Sequence, residues 1–463
     1  MTIHATRAAV RQAPSEMPRS LSGLTCLLLV ALAGCEGVER AQDRFRDMTP
    51  YEAYRESLSE AGLAETALGR DWLQAGWEAV QAPAPVSLPF EEEGYIAVEE
   101  PGAMAYRLSI PRGRRLTAKV SLSGEEGTRV FVDLFRVADD EADPPRPVLS
   151  TDSVPGTFVH EPWRDGDYIL RLQPELLRGG QYRVHLSLEA QLAFPVDGYN
   201  IRAIQSVFGV ERDGGARSHD GVDIFARRGT PVLAAAPGRA YRIGITNRGG
   251  KVVWVRDNVR NARLYYAHLD SQAVVDGQLI EIGDTLGFVG NTGNARTTPP
   301  HLHFGLYRSG QGAIDPAPFL SPPRGTLPEL TADLQQLGSW VRLVNGGTRL
   351  SASPGPGSPV LRELAEHTAL RVYGGSGEYF RVRLPDGGSG YVPARLTEPL
   401  AESFGSQLAR SGEPVLARPD GTSPLVATLA AETQLPVLGR YETYLYVRAP
   451  DGHYGWLSAT SQQ

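Results

Sequence analysis

The chain has 463 residues with 46 Lys+Arg against 53 Asp+Glu, a formal net charge of −7. No basic cluster stands out, which argues against a nucleic-acid partner. Its two cysteines, Cys26 and Cys35, provide no disulfide framework, so a chain long enough for several domains must be held by apolar cores alone.

At the start, Arg7, Arg11 and Arg19 precede an apolar stretch from Leu24 to Ala33. That run is too short to span a bilayer and reads as a secretory signal over residues 1–34. It ends in Leu32-Ala33-Gly34-Cys35, which resembles the bacterial lipobox. The resemblance implies that Cys35 is lipidated and anchors the protein to a membrane without crossing it; an ordinary cleaved signal is the alternative. Glu36 stands where an aspartate often retains such proteins in the inner membrane, which points to an outer-membrane address facing the periplasm. Met1 and Met17 both remain as translation starts.

Residues 35–87 read as a helical spacer and linker. Thr49-Pro50-Tyr51-Glu52 is a capping box with proline at the first helical position, predicting a helix to about Ala61 before Gly62. More helix is expected from Asp71 to Val80, and Ala82-Pro83-Ala84-Pro85 is a stiff linker. Over 88–190 the apolar period switches to two: Tyr106, Leu108 and Ile110, then Val130, Val132 and Leu134, then Tyr168, Leu170 and Leu172, then Tyr182, Val184, Leu186 and Leu188. This predicts an antiparallel β-sandwich, readable equally as a glycan-binding module or a structural spacer.

The chemistry concentrates between residues 194 and 321. His219 and Asp223 in SHDGVD flank a turn into a strand, and His301 and His303 in PPHLHFG lie two apart. On a strand the latter pair faces one way and Leu302 the other, so one strand can supply a metal ligand and an adjacent base. Leu264 to Leu269 forms another alternating run, with His268 near its end. A catalytic zinc takes three N/O ligands and keeps one open position.

These motifs, together with Gly229-Thr230-Pro231-Val232, Tyr266-Ala267-His268-Leu269 and Val289-Gly290-Asn291-Thr292-Gly293, resemble lysostaphin- and LytM-type zinc metallopeptidases, which hydrolyse peptide bonds in bacterial cell walls. The resemblance implies that His219, Asp223 and His303 bind zinc and that His268 and His301 assist catalysis without binding it. One of the two would move the proton of the attacking water and the other would stabilise the oxyanion; the sequence does not divide these roles. Thr297-Thr298-Pro299-Pro300 departs from the Ser-Thr-Gly type sequence of many relatives, which bears on substrate preference.

The C-terminal part is a duplication. At a constant offset of 65, Pro354 matches Pro419, Thr368 matches Thr433, Arg383 matches Arg448, Pro385-Asp386-Gly387 matches Pro450-Asp451-Gly452, and Gly390-Tyr391 matches Gly455-Trp456. The copies, 338–397 and 403–460, resemble bacterial Src-homology-3-like modules. They read either as paired wall-binding sites with avidity on a polymer or as units packed against the catalytic domain.

The expectation is therefore a mainly β, multidomain envelope lipoprotein: a helical segment, a β-sandwich, an antiparallel metallopeptidase sheet and two small β-barrel modules. It would act on peptidoglycan, with a wall amidase or divisome protein as a further partner. The alternatives are a catalytically silent activator of another wall hydrolase and a zinc peptidase acting on a protein substrate.

Overall fold

The computed structural model describes residues 48–124, 127–138, 140 and 143–459; the signal segment and Cys35 lie outside the described residues. The described chain is mainly β, with antiparallel pairing almost throughout.

The first helix, Pro50–Glu60, starts on the expected capping box: the Glu52 backbone N–H donates to Thr49 Oγ1 (3.2 Å) and the Thr49 N–H to Glu52 Oε2 (2.9 Å). The second runs Ala67–Gln81. These helices do more than stand off as a spacer, because their one apolar stripe is aromatic and docks. Tyr51 stacks on Trp72 at 5.2 Å and both meet Phe131. The buried indole N–H of Trp72 donates to the Pro174 carbonyl (2.8 Å), as a buried indole requires.

The region expected to be a sandwich contributes strands to two sheets. One is ordered Ala84–Pro85, Met104–Ile110, Gly166–Pro174, Val130–Arg136, Arg146–Thr151; the other runs Phe90–Ile96, Gly180–Ala190, Arg114–Gly124, Gly156–His160. Alternate residues from both, including Tyr106, Leu108, Leu116, Val132, Leu170, Val184 and Leu186, form one core.

The second sheet does not end at Phe90–Ile96. That strand pairs with Ala369–Ser376 of the first C-terminal copy, placing Glu93 opposite Gly375 and Gly94 opposite Gly374, and the result is an 11-stranded sheet. Glu92, fully buried, pins the junction. Its Oε1 accepts from the hydroxyls of Tyr106 and Tyr182 (each 2.6 Å) and from Arg381 (3.1 Å), and its Oε2 from Tyr391 (2.6 Å). Two donors come from the sandwich and two from the C-terminal copy. Burial, then the Glu92 charge, pushes the pKa of all three tyrosines well above its ordinary value.

The duplication is reproduced strand by strand. Ala369–Ser376, Tyr379–Arg383 and Ser389–Pro393 correspond at the same offset to Gln434–Tyr441, Tyr444–Arg448 and Tyr454–Ser458. Even the left-handed residues match: His367 (φ 60°) with Glu432 (58°), and Gly387 (91°) with Gly452 (89°). The sheets are not closed as the expected barrels would be. The strands of the first copy are absorbed into the long sheet, and those of the second form an open six-stranded sheet.

The remaining sheet is ordered Ile204–Ser206, Val222–Phe225, His301–Arg308, Ala262–Leu269, Gly250–Asp257, Gly238–Thr246, Leu279–Ile280. Leu302, Phe304, Leu306, Leu264, Tyr266, Val253 and Val255 on one face pack with Val232, Ala234–Ala236, Leu286 and Val289. The sandwich attaches on this side. Arg308 lies over Trp163 (4.7 Å), and the buried Arg260 joins Glu161 (2.8 Å) to Asp257 (2.7 Å). The opposite face of the sheet carries the histidines.

Candidate metal centre

Register assembles the centre. Asp223 lies opposite His303 and Phe225 opposite His301, while Ala267 lies opposite His303 on its other side. Paired residues share a face, so Asp223, His301 and His303 project together from adjacent strands, and Leu302 between them is fully buried in the core. His219 reaches the same point from the turn preceding Val222–Phe225. Gly221 in that turn must be glycine: a Cβ there would sit 2.4 Å from the Phe304 carbonyl oxygen and 2.9 Å from the His303 ring.

The three expected ligands converge. His219 Nε2, His303 Nδ1 and Asp223 Oδ1 form a triangle with each side 3.0 Å. An ion held tetrahedrally about 2.0–2.1 Å from each donor separates the donors by about 3.3 Å, so the triangle fits zinc with a shift of a few tenths of an ångström. The electronics agree. His219 Nδ1 is 2.8 Å from the Val207 carbonyl, which can only accept, so the proton is on Nδ1 and Nε2 presents a lone pair to the carboxylate. Lone pairs facing one another at that distance call for a cation. Burial opposes ionisation of Asp223, but the adjoining His219 and His303 outweigh it and hold the carboxyl well below the usual range. Burial pushes His303 down, partly offset by Asp223.

His301 and His268 stand beside the triangle without joining it. His301 Nε2 is 3.9 Å from Asp223 Oδ1, and its Nδ1 is 2.9 Å from the Pro299 carbonyl. His268 Nδ1 is 2.9 Å from the Thr292 carbonyl. In both rings Nδ1 therefore carries the proton and Nε2 is the acceptor. Burial, with the neighbouring His301 and His303, pushes His268 down to about 4. His268 also holds a left-handed backbone (φ 62°), with its N–H donating to Gly249 (2.7 Å); such conformations cluster at functional sites.

Sequence reasoning missed two supports. Arg212 donates from Nη2 to the second Asp223 oxygen, Oδ2 (2.8 Å), leaving Oδ1 to the triangle. Thr292 of the VGNTG motif ties two elements together: its hydroxyl donates to Leu269 (2.8 Å) and accepts from the Lys251 N–H (2.9 Å), while its carbonyl orients His268. The departing Thr297–Pro300 segment acts through a backbone carbonyl, that of Pro299, and so bears on the orientation of His301.

The comparisons with known proteins fall on this region. Residues 217–316 match peptidase family M23. The chain is 35% identical over 147 residues to an L-Ala–D-Glu endopeptidase of Bacillus subtilis, covering 29% of this chain and 44% of that protein. It is 36% identical over 119 residues to the uncharacterized lipoprotein YgeR of Escherichia coli, covering 25% and 43%. The chain thus spans less than half the length of these curated relatives. Among solved structures, the catalytic domain of lysostaphin from Staphylococcus simulans is 33% identical, with 26% of this chain and 94% of that chain covered and a TM-score of 0.24.

Proposed function

We propose that the chain is a zinc-dependent endopeptidase that hydrolyses peptide bonds in the stem or cross-bridge of peptidoglycan. The observation that carries the proposal is the His219–Asp223–His303 triangle with the Nε2 acceptors of His301 and His268 beside it, in a segment matching peptidase family M23. Zinc held by those three residues supplies Lewis acidity and acidifies water. His301 Nε2, the nearer of the two to the carboxylate, accepts the proton of the attacking water, and the Pro299 carbonyl stabilises the imidazolium that results. That imidazolium then passes the same proton to the leaving amine, while His268 stands beside it with its Nε2 as a second acceptor. Arg212 holds Asp223 in the orientation that turns Oδ1 inward.

The finer organisation belongs to the same proposal. Residues 1–34 are a lipoprotein signal and Cys35 its lipid anchor, placing the enzyme in the cell envelope; 88–190 is a sandwich domain, 194–321 the peptidase, and 338–397 and 403–460 Src-homology-3-like modules. A named lipoprotein and a named L-Ala–D-Glu endopeptidase among the relatives support this placement.

The test is digestion of purified sacculi with and without a zinc chelator, the fragments read by mass spectrometry. New chelator-sensitive peptide ends are expected. Absence of release by zinc-loaded protein would overturn the enzymatic reading in favour of an activator.

A further inference from the structure

The face of the sheet that bears the metal triangle does not stop there. Strand register lays three parallel rows across it. The first holds Asp223, His303 and Ala267. Two residues further along the strands, Gly305, Tyr265, Trp254 and Tyr241 lie opposite one another in turn. Two residues beyond that, Tyr307, Arg263, Arg256 and Arg239 do the same. Residues two apart on a strand share a face, so all three rows point the way His303 points. Successive rows are about 6.8 Å apart, which puts the arginines about 14 Å from the His303 row.

The middle row is a continuous aromatic floor. Trp254 lies 4.4 Å from Tyr265 and 6.2 Å from Tyr241, with Tyr307 at 5.2 Å, and Tyr265 meets the ligand His303 at 5.8 Å. All four aromatic side chains are half-buried, in contrast to the sealed Leu302, Phe304 and Leu306 on the back of the same strand. The Tyr241 hydroxyl is buried with no hydrogen-bond partner among the described residues.

The outer row is cationic. Arg256 lies over Tyr241 (5.0 Å), Arg263 has a buried Nε with no partner, and Arg239 donates to the Gly277 carbonyl. Among the described residues none of these three is in an ion pair, whereas the buried Arg260 on the other side of the sheet is paired with Glu161 and Asp257. Three guanidinium groups in register without a carboxylate partner among the described residues, two of them exposed, are a ready site for carboxylates.

We propose that this strip is the extended substrate subsite. Resting on the proposed peptidase function, the inference is that the substrate is an acidic peptide: its backbone and aliphatic side chains lie over Tyr265 and Trp254, and a carboxylate about four extended residues from the hydrolysed bond is gripped by Arg256 and Arg263. The enzyme thus selects an acidic flank, and its cleavage position is measured from that charge.

The test uses the full chain treated with a zinc chelator, so that binding is read without hydrolysis. An alanine-glycine peptide of about eight residues carrying one glutamate near an end, and its glutamine twin, are titrated calorimetrically. The glutamate peptide is expected to bind about tenfold tighter. Arg256→Gln with Arg263→Gln should erase that preference, and Trp254→Ala should weaken both peptides by the same factor. Equal binding of the two peptides by the unaltered chain, a preference that survives the double arginine variant, or displacement of the glutamate peptide by neutral chitin tetramer would overturn the assignment. Sacculus digestion is run in parallel. Failure to cleave with acid-selective binding intact counts against the peptidase reading, and cleavage without acid selectivity counts against the strip.

Discussion

Replacing Gly221 by alanine adds one methyl group and should disable the centre without touching a ligand. The new Cβ would stand 2.4 Å from the Phe304 carbonyl oxygen, where real Cβ atoms essentially never come within 3.0 Å, so the carbonyl must retreat by at least about 0.6 Å. Phe304 directly follows His303, and the same methyl would press on the His303 ring, 2.9 Å away at Cε1. A metal site tolerates errors of about 0.2 Å in its ligand distances, so a displacement several times that size forces His303 out of the triangle or the turn out of register. Overpacking costs about 1–3 kcal/mol, small enough for the fold to survive. A supporting-residue change of this kind lowers metal affinity by about 10–100-fold. Competition with a chromophoric zinc chelator gives the affinity, and a thermal melt of the chelated protein gives the folding cost. Zinc affinity within about threefold of the unaltered chain would refute the steric argument, because it would mean the turn yields without moving His303.

The ligand assignment predicts that His219→Ala or His303→Ala loses both bound zinc and hydrolysis, while His301→Ala keeps the zinc and loses turnover; elemental analysis beside sacculus digestion separates the two outcomes. Glu92→Ala leaves the Arg381 guanidinium buried without its carboxylate, expected to cost about 3–5 kcal/mol and to free the C-terminal copies from the sandwich, read by denaturant melts and limited proteolysis. His268 gives the chelated protein a pH signature. Its folded pKa, about 4, lies below the ordinary value of 6.5, so between those values the unfolded chain binds the extra proton and stability falls as the pH drops. His268→Gln should flatten melting temperature against pH in that window; an unchanged profile would exclude His268 as its source.

The His219–Asp223–His303 group was legible because its parts are local. An H-x-H pair on an alternating strand and an H-x-x-x-D turn state their own geometry, and only the pairing of two strands was needed to bring them together. The sandwich was legible for the same reason, its apolar residues keeping period two through long runs. Glu92 was not. Nothing in Phe90-Glu91-Glu92-Glu93-Gly94 marks the middle acid for burial, and it is buried because Arg381 and Tyr391, nearly three hundred residues away in sequence, arrive over it. Arg212 was invisible for a related reason: one arginine among many acquires meaning only when a short strand folds it onto the second oxygen of Asp223. The arginine row is likewise a product of register, since Arg239, Arg256 and Arg263 share no spacing in the chain.

The two C-terminal copies attach by one corresponding face. In the first copy, Gly374 lets the strand approach the sandwich, where a side chain would meet Tyr182 and Glu92; in the second, the corresponding Gly439 packs against Ala369 and His367 of the first copy, and the Arg440 N–H donates to His367 (2.8 Å). The corresponding face therefore grips the sandwich in the first copy and the first copy in the second, an arrangement that does not close on itself. Such a joint makes reach an adjustable quantity. A further copy added beyond the second would lengthen the arm that starts at the sandwich while leaving the two existing joints untouched.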